Sequence, residues 1–173
     1  MNKQTKIIIA ITMILVIVIG MTAFLNKDNV KEKMMLNNDA IFIAKYKGEI
    51  IKQYTMAEIR ALGEVSFTAT KDTSSSEPVE HTYLGVPLIK VFEDAGVEVF
   101  SDDIIVNLAA DGYAVALEAE KVLEAENVFI TYMVDDQPIG TREEGGNGPY
   151  QIIVSKDQFS QYWCKYALST DVQ

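Results

Sequence analysis

The chain opens on one long apolar run and then settles into short segments of alternating character. No charged residue appears from Ile7 to Leu25. As a helix that stretch spans roughly 28 Å, close to the ~30 Å hydrocarbon thickness of a bilayer. A cleaved secretory signal has a shorter apolar stretch followed by a small-x-small site. Here Ala23 finds Met21 two positions earlier, and no cysteine follows that would become a lipid-modified N-terminus. An uncleaved signal anchor is therefore expected over 7–25, with a cleaved signal as the alternative. Lys3 and Lys6 stand against Lys27, Lys31 and Lys33 in the positive-inside count, and the short tail 1–6 is read as cytoplasmic. Residues 26–38, rich in Lys and Asn, then form a tether. The expected localisation is the cell membrane, single-pass, with a domain over 39–173 on the extracytoplasmic side.

Beyond the tether, period-2 and helical patterns alternate, so the expected fold class is α+β. Ala40 to Tyr46 and Glu49 to Tyr54 read as a hairpin turning at Lys47-Gly48. Thr55 with Glu58 three residues on is a capping box, which predicts a helix from Met56 to Leu62 that stops at Gly63. A strand follows from Val65 to Thr70, and Lys71 to Pro78, with its hydroxyl-rich Thr73 to Ser76, is expected as a loop. Leu88, Val91 and Phe92 recur at helical spacing after Pro87, giving a helix that ends near Ala95-Gly96. Ile104 to Ala109 and Tyr113 to Leu117 flank Asp111-Gly112, a strong hairpin signal. Then come a helix from Ala119 to Glu124, strands from Val128 to Val134 and from Tyr150 to Val154, a short helix from Asp157 to Tyr162, and a last strand from Trp163.

The 173 residues include 25 acidic and 15 basic ones, for a net charge of −10. With Lys3 and Lys6 set aside in the tail, the excess of acid grows, and electrostatic binding to nucleic acid is not expected. A single histidine, His81, excludes a multi-histidine metal site, and a single cysteine, Cys164, excludes an internal disulfide or a multi-cysteine cluster. No serine sits in a nucleophile-elbow sequence. The loop Gly145-Gly146-Asn147-Gly148-Pro149 lacks the lysine and hydroxyl of a phosphate-binding loop and precedes a strand, so it reads as a connection. The acidic pairs Asp102-Asp103, Asp135-Asp136 and Glu143-Glu144 lack the alternating oxygen ligands of a calcium loop and read as solvated turns. On a strand Trp163-Cys164-Lys165-Tyr166, alternation places Cys164 and Tyr166 on the inner face and Trp163 at a rim. A buried Cys164 is an inert small hydrophobe.

Taken in order, Tyr83-Leu84-Gly85-Val86-Pro87-Leu88, Asp94-Ala95-Gly96-Val97, Ala110-Asp111-Gly112-Tyr113, Gly148-Pro149-Tyr150-Gln151-Ile152-Ile153-Val154 and Trp163-Cys164-Lys165-Tyr166 resemble the molybdopterin-binding domain of the sulfite oxidase family of oxidoreductases. The resemblance implies a mixed α+β domain with a pterin-accommodating cleft. It also implies a metal-ligating cysteine near Val65 to Asp72, where this chain has no sulfur, and cofactor-binding arginines, of which this chain has only Arg60 and Arg142. A threonine hydroxyl does not replace a soft thiolate, and no metal is predicted. The reading that follows is a membrane-tethered domain that binds a small planar heterocycle, a pterin or molybdopterin-like ligand, without oxidising anything. Asp111 accepts from the amino and ring N–H groups of such a ligand, Tyr113 and Trp163 stack on it, Asn147 meets its polar edge, and Arg142 meets a phosphate or carbonyl oxygen. Two alternatives stay open: a molybdopterin-dependent oxidoreductase subunit, and an accessory module whose acidic surface docks a protein partner.

Overall fold

The computed structural model describes residues 2–73 and 76–173; Ser74 and Ser75, inside the expected 71–78 loop, lie outside them. The first helix, α1 (Lys3–Asn38), carries the apolar run, and its Ile7–Leu25 segment is long and apolar enough to cross a membrane, with none of it buried against the rest of the chain. The helix does not stop where the apolar run ends. Residues 26–38, expected as a polar tether, continue as helix to Asn38, since neither glycine nor proline interrupts them.

The domain is built from two five-stranded sheets. The first has the order β2 (Glu49–Tyr54), β1 (Phe42–Tyr46), β10 (Ala167–Val172), β5 (Ile104–Ala109), β6 (Ala114–Glu118), with β1 and β10 parallel and the other pairs antiparallel. The second runs β3 (Val65–Thr73), β4 (Ser76–Pro87), β7 (Val128–Val134), β8 (Gln137–Pro138), and β9 (Gln151–Val154) pairs along the same edge of β7 as β8. Three short helices, α2 (Met56–Ala61), α3 (Leu88–Asp94) and α4 (Ala119–Leu123), join or cover them. One hydrophobic cluster holds the domain together: Phe42 and Ile105 from the first sheet, Val86, Ile130 and Ile152 from the second, and Leu88, Val91 and Phe92 from α3 are all fully buried. Burying each such side chain contributes roughly 1.5–3 kcal/mol.

Local chemistry sets the joints. The β1–β2 turn places Lys47 and Gly48 at φ 51° and 85°, and the Gly48 N–H donates to the Asp171 carboxylate at 3.1 Å, so the hairpin is clamped to the last strand. The capping box of α2 forms in full, with the Glu58 N–H on Thr55 Oγ1 and the Thr55 N–H on the Glu58 carboxylate. Tyr54 Oη reaches Val91 O at 3.0 Å and the Asp94 carboxylate at 2.8 Å, which ties α3 to β2. Gly85 is required by a close approach: a Cβ there would lie 2.5 Å from Ile130 O on β7.

Three expectations are corrected. Lys71 to Pro78 is not a loop. Its described residues belong to β3 and β4, paired Thr70 with Glu80, Lys71 with Val79 and Thr73 with Ser76, because cross-strand pairing outlasts the hydrophobic alternation. The helix expected over 157–162 shrinks to one 3-10 turn, Ser160–Tyr162. The strand expected from Trp163 begins only at Ala167. Between them Cys164 makes an isolated bridge to Ile152 and Tyr166 takes a left-handed φ of 54°, so strand alternation does not apply there. Trp163 and Cys164 consequently both turn inward, 6% and 0% exposed.

Candidate functional site

Two of the residues singled out in the sequence converge on one cleft. The β5–β6 turn presents Asp111, fixed by its own loop: Asp111 Oδ1 accepts the Tyr113 N–H at 3.1 Å, and the Gly112 N–H donates to Ala109 O at 3.0 Å. The loop after β8 presents Arg142, whose Nη1 is 3.9 Å from Asp111 Oδ2 and whose guanidinium lies 5.3 Å from the centre of the Tyr166 ring. Tyr166 joins the two loops through its backbone. Its N–H donates to Asn147 O at 2.7 Å and its carbonyl accepts from the Ala110 N–H at 2.9 Å. The cleft enclosed by these loops, about 410 Å³, is closed on one side by Asn37 and Asn38 at the end of α1.

The glycine-rich loop shapes this wall rather than contacting a ligand with its backbone. The Gly146 N–H donates to Thr141 O and the Gly148 N–H to Gly140 O, and a Cβ on Gly146 would fall 2.2 Å from Ile139 O. Glu144 folds back on the same loop, accepting from Thr141 N at 2.7 Å and Thr141 Oγ1 at 3.0 Å. These bonds hold its carboxyl below the usual carboxylate range. Glu144 is thereby committed to the loop, and the ionic groups facing the cleft are Asp111, Arg142 and Glu143.

Among the described residues, buried side-chain atoms without a hydrogen-bond partner include both polar atoms of Asn107, Thr170 Oγ1 and Asn37 Oδ1. Asn107 and Thr170 face each other across β5 and β10 inside the core. Asn37, 7% exposed, is the one that belongs to the cleft wall. A larger groove of about 570 Å³ lies between β3 and α4, where Lys90 pairs with Glu93 and Glu124 with Lys156, each at 2.8 Å. The smaller cleft is the candidate site because it gathers Asp111, Arg142 and the Tyr166 ring, and the wide spacing of the Asp111–Arg142 pair leaves room for ligand contacts.

The other sequence candidates fall as follows. Tyr113 is exposed beside Asp111, and Asn147 contributes its carbonyl to Tyr166. Trp163 is not at a rim. Its ring meets Tyr83 edge-on at 5.8 Å and its Nε1–H donates to Val154 O at 3.2 Å, so it is core and does not face the cleft. Sequence reasoning missed Tyr166, whose left-handed backbone breaks the alternation that paired it with Cys164, and Asn37, which lay in a segment read only as a tether.

The one thiol that a metal could use is that of Cys164. Its side chain is fully buried, Sγ lies 4.0 Å from Asn107 O and 3.8 Å from Lys165 O, and burial, with Asp111 adding to it, pushes the thiol up to about 12. A protonated, enclosed thiol is not a soft anionic ligand. From Val65 to Asp72, where the resemblance would place a ligating cysteine, Phe67 stacks on Phe129 at 3.8 Å and Ala69 is buried. Among the described residues no three His, Cys, Asp or Glu side chains gather as a metal-binding group. The residues present do not fit molybdenum held through cysteine.

The fold resembles that of a sulfane dehydrogenase. One similar structure is the sulfane dehydrogenase SoxCD from Paracoccus pantotrophus, at TM-score 0.60 and 15% identity, covering 76% of this chain and 37% of that one. The chain thus spans little more than a third of the protein it matches, and the likeness is one of fold, a distant relationship. No family model and no curated protein matches the sequence.

Proposed function

We propose that this chain is a membrane-tethered extracytoplasmic domain whose cleft binds a pterin or similar planar heterocycle and does not oxidise a substrate. The observation that carries the reading is the convergence of Asp111, Arg142 and the Tyr166 ring on one cleft. Asp111 Oδ2 accepts from the ligand's amino and ring N–H groups, while Oδ1 stays on the Tyr113 N–H. Arg142 donates to a carbonyl or phosphate oxygen, for which its planar fork is suited. Tyr166, in place of Trp163, supplies the aromatic face. Tyr113 and Asn147 lie beside these groups as secondary contacts. The sequence resemblance to the molybdopterin-binding domain supports a heterocycle as the ligand class. The enclosed Cys164 supports binding over redox chemistry.

Native mass spectrometry of the purified full chain, compared with its denatured mass, tests the reading. An added mass equal to a metal-free pterin is expected. A molybdenum-containing adduct would restore the oxidoreductase alternative. No adduct, with none acquired on incubation with pterins, would leave the protein-docking module.

A further inference from the structure

The end of the membrane helix is part of the cleft wall, and it brings an unsatisfied polar atom there. Asn37 is 7% exposed and its Oδ1 has no hydrogen-bond partner among the described residues. Its backbone carbonyl is occupied, accepting the Ala40 N–H at 3.1 Å, and Ala40 O in turn accepts from Tyr150 Oη at 3.0 Å, so the helix end is tied to the residue just ahead of β9. A buried amide oxygen left unpaired is destabilising, and a donor entering the cleft beside it would satisfy it.

We propose that Asn37 is a ligand-binding residue, its Oδ1 accepting an N–H of the molecule held by Asp111 and Arg142. This deepens the preceding reading and rests on it. The chemistry narrows the ligand: besides the donors that face Asp111 and the acceptor that faces Arg142, it carries a further N–H toward the end of α1, as a reduced pterin ring does and a simple carboxylate does not. The bound molecule then bridges the membrane helix and the domain, and occupancy fixes one against the other. Positions 111 and 142 alone would read the ligand within the domain; Asn37 extends the contact to the element that enters the bilayer.

The test uses the full chain in lipid nanodiscs, with tetrahydrobiopterin as a ring-reduced probe and 6-carboxypterin as an aromatic fluorescent one, binding being read by calorimetry and polarisation. Wild type, Asp111→Ala, Asn37→Ala and Asn37→Asp are compared, with thermal unfolding of each as the check on folding. Expected are at least tenfold weaker binding of the reduced probe by Asn37→Ala, and retention within about threefold by Asn37→Asp, which keeps an acceptor oxygen in place. Asn37→Ala should cost the aromatic probe less than it costs the reduced one. If Asp111→Ala weakens binding and Asn37→Ala does not, Asn37 is only a structural residue and the cleft reading survives without it. Equal losses in Asn37→Ala and Asn37→Asp overturn the acceptor role in the same way. No binding of either probe by folded wild type overturns both the cleft reading and this inference.

Discussion

The reactivity of Cys164, the single thiol of the chain, follows from its surroundings. The thiol is enclosed, with its pKa moved from the ordinary 9.0 to about 12. Three pH units lower the thiolate fraction about a thousandfold. Access lowers reactivity further, because an alkylating reagent reaches a fully buried sulfur only through opening of the domain, and a domain of ordinary stability is open for a fraction on the order of 10⁻³ or less. Iodoacetamide at about pH 8 should therefore modify the native chain at least ~1,000-fold more slowly than the chain unfolded in urea. Intact-mass spectrometry of timed aliquots measures both rates. Native labelling within about tenfold of the unfolded rate would refute the reasoning, since it would mean an accessible thiolate and reopen ligation through sulfur. The same shift has a sign in stability: the folded state holds the proton more tightly, so stability falls as pH rises from about 9 toward 12.

Other outcomes follow from single contacts. Gly85→Ala, which sets a Cβ 2.5 Å from Ile130 O, should destabilise by about 1–3 kcal/mol in urea unfolding, and a neutral result would mean that β4 and β7 separate without cost. Thr55→Ala removes the capping box of α2 and should cost about 1 kcal/mol in the same assay. Arg142→Ala should leave the unfolding midpoint within about 0.5 kcal/mol of wild type, since the side chain is exposed, while weakening pterin binding measured by calorimetry. Asp94, held down by Lys52 and the Tyr54 hydroxyl, Glu64, held down by Tyr132 and Arg60, and Asp135, held down by His81 and the Thr82 N–H, all favour the ionised form. Their stabilisation is present above the ordinary carboxylate range and is lost as pH falls through about 4, which thermal unfolding from pH 7 to 3 should show as a steady fall of the midpoint.

Most elements were legible because their signals are local. The Lys47-Gly48 and Asp111-Gly112 turns need left-handed or Asx geometry, the Thr55 and Glu58 pair needs only three residues of spacing, and Leu88, Val91 and Phe92 state their own period. Where the sequence misled, partners distant in the chain decided. Lys71 to Thr73 extend as strand because β4 returns alongside them. Trp163 turns inward because Cys164 is fixed to Ile152. The site was half visible: Asp111 and Arg142 stand out by type, but their proximity depends on Tyr166 joining two loops. Asn37 carried no signal, because the burial that strands its oxygen exists only once the helix end meets the domain.

The packing of β3 and the cleft at the foot of a helix bear on each other. A cysteine-held metal needs an open thiolate on the inner edge of a strand, whereas β3 uses its inner positions to pack: Phe67 lies between Tyr83 at 5.7 Å and Phe129 at 3.8 Å, and Ala69 fills the space beyond. Restoring a sulfur there would require either opening this aromatic stack or leaving a buried thiol as unreactive as Cys164. A single Ala69→Cys substitution should accordingly yield a second protonated, slowly labelled thiol rather than a metal site. Alkylation at the unfolded rate, or metal retained after dialysis, would show that the strand can still open. The groups that can meet a ligand are those of Asp111, Arg142, Tyr166 and Asn37, all of them on loops or a helix end rather than on the packed sheets. Such groups recognise shape and hydrogen-bonding pattern without needing a redox centre, and one of them belongs to the helix whose Ile7–Leu25 segment is long and apolar enough to cross a membrane.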